Sequence, residues 1–268
     1  MKNIFKAAII IFISFATYSI QAYECRDAVV LVHGNTTSPS SWDNTYEKLL
    51  DMGYDESEIF LPDWGSKWCA SCNNHYGSEE DPVIEALEDA VEASCTGKID
   101  VVGHSMGVTL AAKEIVELDI ADKVDTFVGI AGAWKGLWSC GVYPYNVWSS
   151  TCGADGLSIS SPLLDSLADA NVGSKVYSVK SYIDEIVCST GICLVNGQHS
   201  SRIPNEIATF TYPFGHFGLQ TLTAQKQIEL ITTPPADNMD DADTEEEIAE
   251  EEQSTTEEED DFYSLYWW

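Results

Sequence analysis

The stretch IDVVGHSMGVTLAAKEIVEL, residues 99–118, joins an apolar run with strand character to a run with helical spacing. Ser105 stands at the junction, with Gly103 and Gly107 two residues away on either side. A Gly-x-Ser-x-Gly sequence between a strand and a helix is typical of a nucleophile elbow, in which glycines relieve crowding at a tight turn. The serine hydroxyl then projects over the sheet edge, above a helix N-terminus that favours negative charge. The alternative is a surface serine in a glycine-rich turn.

Apolar runs alternate with helical patterns along the rest of the chain. The predicted buried strands are 28–32, 59–61, 99–102, 126–130, 176–179 and 207–212, and the predicted helices are 42–52, 82–93, 106–118 and 222–231. Strands that alternate with helices indicate a mostly parallel central sheet with helices on both faces. In such sheets, functional sites form at the carboxyl ends of the strands, where Ser105 is expected.

A serine nucleophile needs a base, and His216 is the favoured candidate. In folds with an elbow the chain order is serine, acid, histidine, and two histidines, His199 and His216, follow Ser105. His216 lies in TYPFGHFGL, after the last predicted strand and before the last predicted helix. His199 lies in the polar segment NGQHSSR, with no predicted strand before it.

The base needs an acid that orients its ring. Asp184 is favoured because it closely follows the predicted strand in KVYSVKSY. Glu185 is the near alternative, whereas Asp155, Asp165 and Asp169 lie in a predicted loop or helix.

Two backbone amides are predicted to form an oxyanion hole. One is the amide of Met106, directly after the nucleophile. The other is the amide of Asn35, in the loop VVLVHGNTTSPSSW after the first strand, where Gly34 lets the chain turn close to the site. His33 in the same loop is interpreted as structural, holding the loop by hydrogen bonds.

The first 22 residues have the pattern of a secretory signal peptide. Lys2 and Lys6 precede an apolar core at residues 9–15, and the segment ends at Ala22. This core is too short for a stable membrane span. We therefore expect residues 1–22 to be removed and the protein to be secreted, with a catalytic domain over residues 23–232.

All eight cysteines follow the predicted signal peptide, and an even number in an exported chain predicts disulfides. Cys140–Cys152 and Cys188–Cys193 are predicted as local pairs, and the other two bonds come from Cys25, Cys69, Cys72 and Cys95. The sequence WCASC, residues 68–72, is also compatible with a thioredoxin-like redox function. That chemistry needs a helix N-terminus, and the flanking Gly, Ser and Asn residues indicate a loop, so a structural disulfide is favoured.

Residues 233–268 are predicted to be a disordered acidic tail. Residues 237–261 hold 15 acidic side chains and no Lys or Arg, in a chain of net charge −31. Such a charge density prevents core formation and repels phosphate backbones, which argues against nucleic-acid binding. The tail ends in an aromatic cluster, DDFYSLYWW. The rings either dock on the protein's own surface or are recognised by an export or envelope partner; the second is favoured.

An aromatic-rich segment, residues 131–158, is predicted to be a loop beside Ser105. The rings either bind a hydrophobic or polymeric ester substrate or only cover the core, and the sequence does not decide between the two. The rings belong to Trp134, Trp138, Tyr143, Tyr145 and Trp148.

The segments VVLVHGN, IDVVGHSMGV, YIDEIV and FGHFGL resemble, in order and approximate spacing, the class 2 lipases of bacteria, which have the α/β-hydrolase fold. This resemblance covers most of residues 28–230 and implies a lipase or esterase with Ser105, Asp184 and His216 as its triad. It implies no metal and no cofactor. HGN, HSMGV, AGAWKGLWSC, STC and GHF are most similar to a secreted polyhydroxyalkanoate depolymerase branch, so a polyester is the alternative substrate to a lipid. A non-catalytic binding module on the same fold is the alternative from another class.

Overall fold

A computed structural model describes residues 25–233. The predicted signal peptide lies outside the described residues, and so does the predicted acidic tail beyond Thr233. The strands of the described part, in chain order, are β1 (Ala28–Val32), β2 (Ile59–Phe60), β3 (Ile99–His104), β4 (Val124–Ile130), β5 (Leu137–Val142), β6 (Ser158–Ile159), β7 (Lys175–Lys180), β8 (Leu194–Val195), β9 (Gln198–His199) and β10 (Ala208–Thr211).

Six of these strands form one central sheet in the order β10-β7-β4-β3-β1-β2. Every neighbouring pair is parallel. Strand β3 lies between β1 and β4, and all six of its residues are buried. A strand covered on both faces needs a nearly continuous apolar sequence, which explains why the run that starts at Ile99 becomes a central strand. The carboxyl end of β3 then lies beside those of β1 and β4.

Helices cover both faces of this sheet, as predicted. The α-helices of the described part are α1 (Asp43–Asp51), α2 (Asp81–Ala93), α3 (Met106–Glu117), α4 (Pro162–Ser166), α5 (His216–Leu222) and α6 (Ala224–Thr232). Val30 packs in one core with residues of α2 and α3, whereas its neighbours Val29 and Leu31 pack in a second core with residues of α1, α5 and α6. This alternation follows from the two-residue period of a strand. The predicted α/β-hydrolase architecture is confirmed.

The structure differs from the predicted elements near the C-terminus and in the aromatic segment. Instead of one helix over 222–231, a first helix, α5, begins at His216, and α6 follows from Ala224. Helical propensity in HFGLQTL is weak because it contains a glycine and a phenylalanine, so packing of the fully buried Leu219 decides the helix. The segment predicted as a loop, 131–158, contains β5 and pairs through it with β6.

All eight cysteines are paired in four disulfides. The predicted pairs Cys140–Cys152 and Cys188–Cys193 are confirmed. The other two pairs are Cys25–Cys95 and Cys69–Cys72. Cys69 and Cys72 lie in a turn between β2 and α2, so the helix N-terminus that redox chemistry requires is not beside them. Between residues 25 and 233, no helix combines the length and the apolar character needed to cross a membrane.

The two glycines of the elbow are required by close backbone contacts. A Cβ atom at Gly107 would lie 2.3 Å from the carbonyl oxygen of His33 and 2.6 Å from that of Val32. A Cβ atom at Gly103 would lie 2.8 Å from the Cα atom of Val108. The first turn of α3 therefore packs directly on the carboxyl end of β1.

We expect Gly107→Ala to lower the free energy of unfolding by about 2 kcal/mol. Overpacking against backbone atoms that have no room to move outweighs the gain in helix propensity. Gly153→Ala is the matched control, because a Cβ atom there meets its nearest neighbour at an ordinary 3.4 Å. Urea denaturation measures both variants, and equal stability of the two would contradict the close-contact explanation.

Candidate active site

Ser105 occupies the corner between β3 and α3 in a strained backbone conformation. Its φ is +55° and its ψ is −126°, a region that non-glycine residues rarely adopt and that is found preferentially at functional sites. The amide of Ser105 donates to the carbonyl oxygen of Ile130 over 2.8 Å, which ties the corner to the end of β4. The side chain is therefore presented at the carboxyl edge of the sheet.

The structure brings Ser105, His216 and Asp184 together. The hydroxyl oxygen of Ser105 lies 2.8 Å from Nε2 of His216, and Nδ1 of His216 lies 2.9 Å from Oδ2 of Asp184. Ser105 follows β3, Asp184 lies in the loop after β7, and His216 begins α5. With Nδ1–H donating to the carboxylate, Nε2 is left to accept the serine proton.

The carboxylate of Asp184 is fixed and kept ionised by its surroundings. Burial alone would raise its pKa, but the hydrogen bond and charge of His216 and the amides of Val187 and Ile186 together hold the pKa below its ordinary value. Each of those amides donates to Oδ1 over 2.8 Å. The arrangement suits a group that must stay negative beside an imidazole.

Glu185, the near alternative to Asp184, contacts the same histidine through the backbone. Its Oε2 accepts a hydrogen bond from the amide of His216 over 2.8 Å. A Cβ atom at Gly215 would lie 2.6 Å from that oxygen, so the glycine leaves room for the carboxylate. The ring of His216 is hydrogen-bonded to Asp184, and within the described residues Asp155, Asp165 and Asp169 do not take that position.

His104 is a site residue that the sequence analysis missed, although it precedes Ser105 in the elbow. Its Nε2 donates to the carbonyl oxygen of His216 over 3.1 Å. Complete burial, with repulsion from His216, lowers the pKa of His104 to about 3, so its ring is neutral at ordinary pH. The buried Nδ1 of His104 has no hydrogen-bond partner. It faces Gly34, where a Cβ atom would lie only 2.8 Å away.

The other histidines near the sheet edge have structural contacts. Nε2 of His199 donates to the carbonyl oxygen of Ser181, and its Nδ1 accepts from the amide of Ser201. Nδ1 of His33 donates to the carbonyl oxygen of Gly34 over 2.8 Å. The ring of His33 stacks on Trp64 at 5.3 Å. These contacts agree with the structural interpretation of His33.

Both residues predicted for the oxyanion hole adjoin Ser105. Met106 is the first residue of α3, where backbone amides have no carbonyl partner within the helix. Asn35 and Ser105 line the same small cavity of about 130 Å³, which Phe217 and Ile186 also border. Gly34 allows this approach, because a Cβ atom there would lie 3.0 Å from the Cβ of Ser105.

A larger open groove of about 920 Å³ adjoins this cavity, because Asn35, Ala70 and Ile186 border both. Trp148 lines the groove and is almost wholly exposed. The aromatic rings of segment 131–158 therefore divide: Trp134 is 2% exposed and packs in the core, whereas Tyr145 and Trp148 are presented to solvent.

Three groups of side chains in the described part bring three possible metal-ligand atoms within 4.8 Å of one another, and none contains a candidate triad residue. The groups are Cys188, Cys193 and His199; Glu80, Glu114 and Glu117; and Asp27, Asp100 and Asp125. The two cysteines are joined in a disulfide. The ammonium of Lys113 bonds to all three glutamates. In the group of aspartates, Asp125 forms an ion pair with a lysine.

The parallel sheet, with helices on both faces and a serine elbow after a central strand, defines an α/β-hydrolase. The family model for class 2 lipases matches residues 26–229, and the chain belongs to that family. No curated protein matches the sequence.

Solved structures support the fold. The lipase BlEst2 of Bacillus licheniformis in its mature form has a TM-score of 0.55 and 16% identity, over 78% of this chain and 93% of that chain. Its propeptide form has a TM-score of 0.58 and 16% identity, over 81% of this chain and 53% of that chain. Lipase B of Aspergillus fumigatus has a TM-score of 0.53 and 16% identity, over 73% of this chain. The present chain spans only 49% of that fungal enzyme.

Buried neutral histidines predict a loss of stability in acid. Burial lowers the pKa of His75 to about 4 and that of His104 to about 3, so the unfolded chain binds protons that the folded chain excludes. The free energy of unfolding is unaffected by these histidines above pH 6.5, which is near the pKa of histidine in the unfolded chain, and it falls as the pH drops below that value. Between pH 7 and pH 5 we expect a loss on the order of 2 kcal/mol per histidine.

His75→Gln tests this origin of the pH dependence. The substitution removes the titrating group next to Thr109, on the buried side of α3. We expect the variant to be less stable at pH 7 but to lose less stability on acidification, as measured by urea denaturation at several pH values. An unchanged slope would contradict the assignment to His75.

Proposed function

We propose that this protein is a secreted carboxylic-ester hydrolase, a lipase or esterase that acts through an acyl-enzyme on Ser105. The single observation that supports it most is the chain of short contacts from Ser105 through His216 to Asp184. The three side chains follow three different strands of the central sheet, β3, β7 and β10. Membership of the class 2 lipase family supports the same reaction class.

In the proposed reaction, the hydroxyl of Ser105 attacks the ester carbonyl carbon while Nε2 of His216 takes its proton. The imidazolium that forms is stabilised by the ionised carboxylate of Asp184. His216 then gives the proton to the leaving alcohol, and the acyl group remains on Ser105. In the second half, His216 activates a water molecule that releases the acid.

The negative charge on the carbonyl oxygen develops between β1 and α3. The amides of Asn35 and Met106 are proposed to donate to it, each worth roughly 3 kcal/mol of transition-state stabilisation. The N-terminus of α3 adds a favourable partial positive charge there. Gly34 supports this assignment, because it lets the backbone beside Asn35 approach Ser105.

Secretion is supported by the predicted signal peptide and by the four disulfides. Disulfides persist in oxidising compartments outside the cytosol. The substrate is then an extracellular or periplasmic ester, and lipid is favoured by the apolar side chains at the cavity. Ile186 and Phe217 border that cavity, and both are partly exposed.

A polyester is the second candidate substrate. The open groove beside the cavity supports it, because a polymer chain has to continue past the scissile bond on both sides. The groove is lined by serine and threonine residues and by apolar side chains, among them the exposed Trp148. Purified protein assayed on p-nitrophenyl esters of rising chain length, emulsified triglyceride and a polyhydroxybutyrate film distinguishes the candidates.

Ser105→Ala should abolish hydrolysis of all these substrates, with an expected loss of about a millionfold in kcat, and should leave the fold intact. Asp184→Asn should lose about ten-thousandfold, because the imidazole is then held in the wrong tautomer. Steady-state kinetics on a soluble p-nitrophenyl ester, with circular dichroism for the fold, measures both. A Ser105→Ala variant with near wild-type turnover would mean that the nucleophile is another group.

Glu185→Gln is the matched control for Asp184→Asn. Its amide oxygen still accepts from the backbone of His216, so we expect kcat to fall by about fivefold at most. An inactive Glu185→Gln variant beside a fully active Asp184→Asn variant would transfer the acid function to Glu185. A stable, folded wild-type protein without activity on any ester would favour the non-catalytic binding module.

A chain truncated after Thr232 should keep its specific activity on a soluble ester. No candidate triad or oxyanion residue lies beyond His216 in the sequence, and the family match ends at residue 229. Loss of activity in the truncated chain would show that the proposed domain boundary is wrong.

Deletion of residues 262–268 alone tests the proposed export or envelope partner, by the compartment that the protein reaches in its host.

A further inference from the structure

We propose that Asn73, together with the loop closed by the Cys69–Cys72 disulfide, is a positioning group for the candidate oxyanion residue Asn35. The inference rests on the proposed ester hydrolysis and adds to it the function of the WCASC segment. That segment carries no redox chemistry in this proposal. Its four-residue ring serves to hold a carbonyl oxygen next to the catalytic cavity.

The side chain of Asn35 is held on two sides by this loop. Its Nδ2 donates to the carbonyl oxygen of Ala70 over 2.9 Å, and its Oδ1 accepts from Nδ2 of Asn73 over 2.6 Å. Ala70 lies inside the disulfide ring between Cys69 and Cys72, and it also borders the cavity of Ser105. The orientation of Asn35 therefore depends on where the loop holds these two partners.

Asn73 is itself fixed and buried. It is 1% exposed, and its Oδ1 accepts from the amide of Ser66 over 2.7 Å while its Nδ2 donates to the carbonyl oxygen of the same residue over 3.0 Å. The bond to Asn35 uses the second hydrogen of Nδ2, so the whole amide group is satisfied. Gly65, at φ +66°, leaves room for this group, since a Cβ atom there would lie 3.1 Å from Cγ of Asn73.

A second disulfide-closed segment holds the loop from the outside. The hydroxyl of Thr151 contacts the carbonyl oxygens of Ala70 and Asn73. The neighbouring Cys152 is bonded to Cys140. Two disulfides thus restrain the partners of Asn35, although most of the Cys69–Cys72 loop is exposed.

The backbone next to Asn35 needs such support. Thr36 has a φ of +59°, which is costly for a β-branched residue and persists only where the surroundings impose it. If Thr36 relaxed to a negative φ, the chain on one side of the Asn35–Thr36 peptide would have to shift, and an unrestrained Asn35 could move away from Ser105. The side-chain bonds of Asn35 oppose this shift, because they fix the residue that precedes the strained one.

A double-mutant cycle tests the proposal on the full-length secreted protein. Asn35→Ala keeps the backbone amide and removes only the side-chain bonds, and Asn73→Ala removes the fixed partner. We expect each to lower kcat by about 10- to 100-fold with KM changed less than about twofold, because a misplaced donor weakens transition-state binding. The double variant should lose no more than the worse single variant, since both remove one coupled unit.

Thr45→Val is the matched control, because it also removes a buried side-chain hydrogen bond, to Gln227 between α1 and α6. It should lower stability and leave kcat unchanged. Wild-type kcat in Asn35→Ala, or losses that multiply in the double variant, would overturn the proposal, even if Asn73→Ala does not fold. Ser105→Ala in the same assay distinguishes failure of the proposed function from failure of the positioning role. An active Ser105→Ala variant overturns the proposed function. An inactive Ser105→Ala variant beside an unimpaired Asn35→Ala variant overturns only the positioning role.

Discussion

The close approach of α3 to the carboxyl end of β1 is the constraint on which the candidate site depends. Gly107 lies so near the carbonyl oxygen of His33 that a Cβ atom would be 2.3 Å away. This contact sets the distance between the first turn of α3 and the loop after β1. Met106 begins α3 and Ser105 directly precedes it, whereas Asn35 lies in the loop after β1. A larger residue at Gly107 would therefore separate the nucleophile from one of its two proposed oxyanion donors.

The candidate base is held through all of its polar groups. The ring of His216 contacts Asp184 and Ser105, its amide donates to Glu185, and its carbonyl oxygen accepts from His104. Two consecutive acids thus hold His216, Asp184 at the ring and Glu185 at the backbone. His104 has to remain neutral for this arrangement, since a second positive charge 4.8 Å from the ring of His216 would oppose the imidazolium that the proposed reaction forms. Complete burial of His104 provides that neutrality.

The rim of the site is held differently from the sheet beneath it. The sheet and its helices enclose two apolar cores, whereas much of the rim consists of loops. Disulfides cross-link the rim: Cys69–Cys72 and Cys140–Cys152 close the two segments that meet through Thr151. Such cross-links restrain a loop without covering it, so Trp148 in the groove and Trp68 next to Cys69 stay exposed.

The sequence alone determined the fold class, the elbow serine and the candidate histidine, and it favoured Asp184 as the acid, because these depend on local patterns: apolar periodicity, glycine spacing, and the order of serine, acid and histidine. It also indicated two of the three short-range disulfides, Cys140–Cys152 and Cys188–Cys193. Only the tertiary structure decided that Asp184 and not Glu185 meets the ring of His216, since consecutive residues point in different directions that spacing does not reveal. The same holds for His104 and Asn73, whose contacts reach His216 and Asn35 across distant parts of the chain. Such contacts arise from packing, and no pattern within one segment of the sequence records them.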